Sequence, residues 1–296
     1  MSQAAAEQSL RDGNPREALA RLQDAVRANP ADARLRVFLF QLLCVLGQWE
    51  RALNQLKLAA EMDPAAVPMA QMYGDAVRCE AIRREVFEGR KSPMILGEPE
   101  QWLALLIESR LRAGHGETAQ AEELRLRAFD DAPTSSGSLD GRPFEWIADA
   151  DSRLGPVLEA FINGRYYWVP IGRLRVMTLE TPEDLRDLVW MPAHLEFDNG
   201  GDTLALIPTR YPGSESSDDG LIALARKTNL GAVRRRGLSG DWPACVRDRL
   251  GRHAVPRSAI ADDRSRERAG VRRYRRRSCL SSSHRRTCCS PPCSTD

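Results

Sequence analysis

Four residues recur at one fixed distance near the start of this chain. Gly13 and Gly47, Ala18 and Ala52, Leu19 and Leu53, and Pro30 and Pro64 are each 34 residues apart. That period is the length of a helix-turn-helix unit that stacks on copies of itself. The glycine belongs in the turn between paired helices, where a residue without Cβ takes positive φ at no steric cost. The small alanine lets the helices approach closely. The proline opens the next unit, where its missing N–H costs nothing. In Phe38–Met62, "FLFQLLCVLGQWERALNQLKLAAEM", one helix carries Phe38, Leu42 and Val45 on a face and the next carries Leu53, Leu56 and Ala60. Neither face is buried unless the helices stack into a solenoid.

The pattern predicts helices near 4–12, 15–28, 32–46, 48–62, 65–78, 80–88, 99–113 and 117–130. Pro99 and Pro133 roughly extend the period, and Gly116 begins a segment like the second half of another hairpin. The unit around Ala81–Gly89 is degenerate and has no turn glycine. Residues 1–130 are therefore expected to form a tetratricopeptide-like, all-helical solenoid.

Composition changes in the Gly/Ser/Pro stretch 131–143, which reads as a linker. A small α+β domain is expected over 144–230, giving an α+β chain overall. Phe144–Phe161 reads as a helix and Asn163-Gly164 as a hairpin turn. Arg165–Pro170, Leu174–Thr178, Trp190–Phe197 and Asp202–Pro208 read as strands. Pro182–Val189 and Ser216–Lys227 read as short helices.

The formal net charge of +2 hides a division. Residues 1–230 sum to −9, whereas 231–296 sum to +11, with 17 Arg and no Lys. A basic arm of this kind suggests nucleic acid as an alternative partner. Against that, natural arms mix Lys with Arg, and Tyr274 alone gives no stacking platform. Cys279, Cys288, Cys289, Cys293 and His284 contain no C-x2-C pair, which argues against zinc. Arg, Ser, Cys, Pro and His without Lys or periodicity is the output of a shifted reading frame in GC-rich DNA. Sliding the frame by one nucleotide through Gly240–Pro256 permits a run that includes Gly-Gln-Arg-Val-Phe and alternates like a strand pair. Residues 231–296 are accordingly expected to be a disordered tail and a frameshift product.

No run of eighteen apolar residues is present, and the first residues lack the basic and apolar regions of a signal peptide. No membrane partner is expected, and the expected location is cytoplasmic. Isolated Cys44 and Cys79 read as buried thiols. No phosphate loop, dinucleotide fingerprint or nucleophile elbow occurs, and His115 and His194 lack companions. No catalytic residue, cofactor or metal site is expected. Asp149 and Asp151, two residues apart, suit capping and pairing with Arg153 better than catalysis. Tyr166, Tyr167 and Trp168 alternate along one strand and cannot all be buried. These six residues, Asp149, Asp151, Arg153, Tyr166, Tyr167 and Trp168, are the candidates for contact with a partner.

Phe144–Pro156 (FEWIADADSRLGP), Asn163–Pro170 (NGRYYWVP), Pro182–Trp190, Pro208–Gly213 (PTRYPG) and Ala225–Thr228 (ARKT) resemble the ImpE/TagJ family of type VI secretion accessory proteins. The resemblance spans essentially all of 1–228 and stops at Thr228, so the second domain is expected to be truncated. It implies a non-enzymatic cytoplasmic adaptor that binds a helix of the small contractile-sheath subunit and modulates sheath assembly or recycling, with an indirect link to the sheath-recycling ATPase. A solenoid groove suits that task, because it can cradle an amphipathic helix. Resequencing the source gene is expected to reveal a one-nucleotide insertion or deletion near Thr228; an intact frame there would end the frameshift reading.

Overall fold

The computed structural model describes residues 3–228, together with the backbone of 246–247 and 272–276. The expectation of a disordered tail otherwise lies outside the described residues.

Seven helices form the first half: α1 (Gln3–Arg11), α2 (Pro15–Ala28), α3 (Ala33–Val45), α4 (Trp49–Met62), α5 (Val67–Phe87), α6 (Gln101–Gly114) and α7 (Thr118–Asp131). Pro15 starts α2 in its first turn, and Gly13 and Gly47 hold the two hairpin turns at φ +82° and +65°. The Asp32 carboxylate caps α3 by accepting the Arg34 and Leu35 N–H groups. The tetratricopeptide-like hairpins are thus present where the spacing predicts them. The third unit differs. Instead of two helices over 65–78 and 80–88, α5 runs unbroken for 21 residues. That stretch offers no turn glycine with positive φ before Gly89, so helix propagation is never interrupted. No helix among the described residues is long and apolar enough to cross a membrane.

The second half is a sheet. Its strands are β1 (Met94–Ile95), β2 (Gly137–Leu139), β3 (Arg142–Phe144), β4 (Ala148–Asp149), β5 (Val157–Ile162), β6 (Arg165–Pro170), β7 (Leu174–Leu179), β8 (Trp190–Phe197), β9 (Asp202–Pro208), β10 (Val246–Arg247) and β11 (Arg272–Arg276). The main sheet has the order β1-β6-β5-β9-β8-β7-β11-β2-β3, and β10 pairs with β4 alone. All main-sheet pairings are antiparallel except β1 with β6. The tail therefore adds β11 to the main sheet and β10 to β4, which the expectation of a disordered tail did not include.

Four local expectations are corrected. The stretch 131–143 is not only a linker: β2 and β3 form a hairpin about Asp140 and Gly141, at φ +50° and +78°, and Asp-Gly is a preferred two-residue turn. Phe144–Phe161 is not a helix. Asp149 and Asp151 draw the N–H groups of Asp151 and Arg153 to their carboxylates, an alternative to helical bonding. Gly155 then sits at φ +58°, and a Cβ there would lie 2.4 Å from the Phe129 ring, so only glycine fits. The closing helix shrinks to α8 (Gly220–Ala223), preceded by a 3-10 turn at Ser214–Ser216 and ended by Ala225 at φ +53°. Pro182–Val189 forms a 3-10 turn at Leu185–Leu188 rather than an α-helix.

One apolar core joins the helices to one face of the sheet. It runs from Leu10 and Leu22 through Phe40, Leu56 and Tyr73 to Phe161, Trp168 and Trp190. The other face buries Ile162, Val169, Leu174, Leu195 and Ile207 in a second cluster. Charged groups cross the joint. Arg83 on α5 is 4 % exposed and donates from Nε and Nη2 to the two Glu159 carboxylate oxygens on β5, at 2.8 and 3.0 Å. Its Nη1 reaches Glu80 at 3.3 Å and its Nη2 also donates to the Arg210 carbonyl at 2.7 Å. Tyr166 donates to Glu159, Trp168 to the Tyr166 hydroxyl and Trp190 to Glu80. Burial opposes the Arg83 charge, but Glu159 and Glu80 outweigh it and hold its pKa well above the usual arginine value.

Three arginines close helix ends. Arg226 donates to the Leu10 and Arg11 carbonyls ending α1, at 2.8 and 3.2 Å. Arg210 donates to the Cys44 and Val45 carbonyls ending α3, at 3.2 and 2.5 Å. Arg110 donates to the Phe87 carbonyl ending α5. A cation satisfies orphan carbonyls and opposes the negative end of the helix dipole, worth up to about 2 kcal/mol when partly buried. The same C-terminal segment covers the hairpin turns: a Cβ on Gly47 would lie 2.5 Å from the Glu215 side chain, and one on Gly13 would lie 2.9 Å from Leu221.

Breaking the buried pair is expected to be costly. Arg83→Met should lose about 3–5 kcal/mol of stability in urea unfolding, because it strands the Glu159 charge. The double variant Arg83→Met/Glu159→Leu should lose less than Arg83→Met alone.

Candidate partner groove

A groove of about 270 Å³ with three walls opens between the helices and the segment before β8. From α1 come Gln3, Glu7 and Leu10, which fall on one face at helical spacing. From α3 come Arg34, Val37, Phe38 and Gln41. The third wall is the segment before β8, with Glu183, Asp184, Leu185 and Leu188. The volume lies below the roughly 300–1,000 Å³ of small-molecule sites, and the lining is mixed: Leu10, Val37, Phe38, Leu185 and Leu188 share it with polar and charged side chains. Such a shape suits side chains presented by another polypeptide.

The third wall is a strap laid on the inner face of the solenoid. The Asp187 carboxylate accepts the Glu183 and Asp184 N–H groups at 2.9 and 2.8 Å, and the Asp184 side chain accepts in return from Asp187. Burial raises the Asp187 pKa, and those two N–H bonds work against the rise. The Arg186 guanidinium lies 4.7 Å from the centre of the Tyr73 ring, a cation–π contact with α5. Burial pushes the Tyr73 hydroxyl up to about 12. The strap thereby occupies the solenoid face beside α5, leaving the α1–α3 end open.

Gln41 stands out on the groove wall. It is 6 % exposed, and its side-chain amide makes no hydrogen bond with the described residues. The amide keeps contact with solvent in the open groove, so an occupant that covered it without a hydrogen bond would cost about 1–3 kcal/mol; the flanking Phe40, Leu42 and Leu43 are buried.

The six sequence-predicted contact residues lie elsewhere. Tyr166 and Trp168 are 1 % and 0 % exposed, and their polar atoms are spent on Glu159 and on each other. They are core residues with no surface to offer a partner. Tyr167, on the opposite face of β6, is half-buried, with Met94 of β1 as its register partner. Asp149 accepts from the Tyr211 hydroxyl at 2.7 Å. Asp151 is 2 % exposed and pairs with Arg153, whose guanidinium sits 4.6 Å from the Phe87 ring centre. Asp151 and Arg153 pair as their spacing suggests, but in a loop that fastens the sheet to α5, away from the groove. The groove residues Phe38, Gln41 and Leu185 were missed, although a glutamine inside "FLFQLLCVL" is a legible anomaly in an apolar run.

Other reactive side chains are accounted for. Burial raises the Cys44 thiol well above its usual value and the Cys79 thiol to about 12, so neither is a thiolate near neutral pH. His194 pairs with Asp202 at 3.0 Å on the exposed part of the sheet. Among the described residues no three His, Cys, Asp or Glu side chains gather into a potential metal site.

Comparison with known proteins agrees with this architecture. The tetratricopeptide repeat family matches residues 9–72, and the ImpE protein family matches 141–240. The chain is 54 % identical over 225 residues to the type VI secretion system accessory component TagJ of Pseudomonas aeruginosa, covering 75 % of this chain and 79 % of that protein. The crystal structure of protein VPA1032 from Vibrio parahaemolyticus superposes with a TM-score of 0.69 at 26 % identity, over 77 % of this chain and 86 % of that one. Identity at that level, over helices and sheet together, establishes that the chain belongs to the ImpE/TagJ family.

Proposed function

We propose that this protein is a non-catalytic accessory component of a type VI secretion system. In this reading it is a cytoplasmic adaptor that seats a helix of the small contractile-sheath subunit in the α1–α3–strap groove. Holding that helix would modulate sheath assembly or recycling, with the recycling ATPase reached indirectly through the sheath. The accessory role is supported by the strong identity to TagJ. The observation that carries the docking mode is the groove itself: apolar walls from Leu10, Val37, Phe38, Leu185 and Leu188, open at the α1–α3 end and edged with charge. An amphipathic helix buries its apolar face in such a groove and leaves its polar face in water.

The full chain should capture the purified small sheath subunit at micromolar concentration. Val37→Asp, which puts a charge on the half-buried groove wall, should weaken capture at least about tenfold, the cost of a desolvated unpaired charge. No capture by the wild type, or equal capture by the variant, would count against the reading.

A further inference from the structure

We infer that Gln41 is the specificity element of the groove. It reads one amide- or hydroxyl-bearing side chain set within the apolar stripe of an incoming helix, and the groove's acidic lip selects a basic side chain beside it. This rests on the groove being the partner site and adds the chemistry of the partner.

Two independent observations support the inference. The first is the unpartnered amide. Gln41 is more than nine-tenths buried, lines the groove and bonds to none of the described residues. Leucine or methionine at this position would match the apolar run around it, and the amide, which meets solvent in the groove, adds no bond to the described fold. Its free donor and acceptor face the space a partner would fill. A site built around such a group rejects an occupant that cannot complete the hydrogen bonds, because the amide is then sealed from water unpaired.

The second observation is charge. Three carboxylates, Glu7, Glu183 and Asp184, line the groove against one guanidinium, Arg34. Asp184 is committed to Arg186, and Glu7 accepts from the Gln3 amide. Exposed Glu183 forms no ion pair with the described residues, so the lip keeps an uncompensated negative charge. Complementary charge at a rim governs partner choice more than total affinity. The occupant that fits is a helix with large apolar side chains, one Asn, Gln, Ser or Thr among them, and Lys or Arg at its border.

The test is a display library of amphipathic helical peptides, selected in parallel on the full-length wild type, Gln41→Leu, Gln41→Met and Glu183→Lys. The wild type should enrich peptides with one amide or hydroxyl residue inside the apolar stripe and a basic residue next to it. The two Gln41 variants should accept an apolar residue at that position and bind the wild-type-selected peptide at least about tenfold more weakly. Their melting temperatures should equal or exceed that of the wild type, which separates recognition from folding. Glu183→Lys should lose only the basic preference. Identical enrichment by wild type and the Gln41 variants, enrichment of purely apolar stripes by the wild type, or enrichment of nothing would overturn the inference. Capture of the sheath subunit is measured alongside: discrimination among peptides without capture would sustain the groove chemistry while removing the sheath subunit as its ligand.

Discussion

The fork between Arg83 and Glu159 is the interaction on which the rest of this structure depends. It lies where a helical repeat array meets a sheet, and it joins a buried charge on one half to a buried charge on the other. Glu159 is held by Arg83 and Tyr166, and Arg83 by Glu159, Glu80 and the Arg210 carbonyl. Buried ion pairs add little net stability over an apolar contact of the same shape, but breaking one strands a buried charge. Here both Glu159 oxygens on β5 are bonded to Arg83 on α5. The docked sheet then brings Trp190 against Tyr73 and Trp49, with ring centres about 6 Å apart.

Geometry at that joint decides what is left open. Because the sheet is seated on α5, the strap before β8 reaches the inner face of the solenoid and anchors on Tyr73 and Met69. An array of stacked hairpins usually offers its whole concave face. This one has covered part of it with its own chain, and the remaining groove is short and lined by both apolar and charged side chains. In the proposed reading, partner selection is concentrated on a few side chains of α1, α3 and the strap.

The sequence revealed the repeat because its demands are local: a glycine in each turn, an alanine at each close approach and a proline at each start. The strands from Arg165 to Pro208 were legible for similar reasons, in alternating apolar residues between turn signals. The false helix over 144–161 was a failure of local reading. Its apolar residues have helical spacing, but Asp149, Asp151 and Gly155 respond to Tyr211, Arg153 and Phe129, which are distant or bonded in a way the spacing does not reveal. Alternation says that Tyr166, Tyr167 and Trp168 cannot all be buried but not which face is wet; the helices cover the face that Tyr166 and Trp168 are on, and Tyr167 stays half-buried on the other. The groove needs α1, α3 and residues 183–188 together, a juxtaposition only the tertiary fold creates. Its one trace in the sequence is the glutamine in an apolar run.

The arginine seal on the first helix has a consequence for how the protein is made. Arg226 closes α1 from 216 residues away along the chain. At roughly 5–20 residues per second, the ribosome delivers that side chain about 10–40 s after the carbonyls it will cover. Until then those carbonyls have water as their partner, so the leading hairpin gains its last helix cap only late in synthesis.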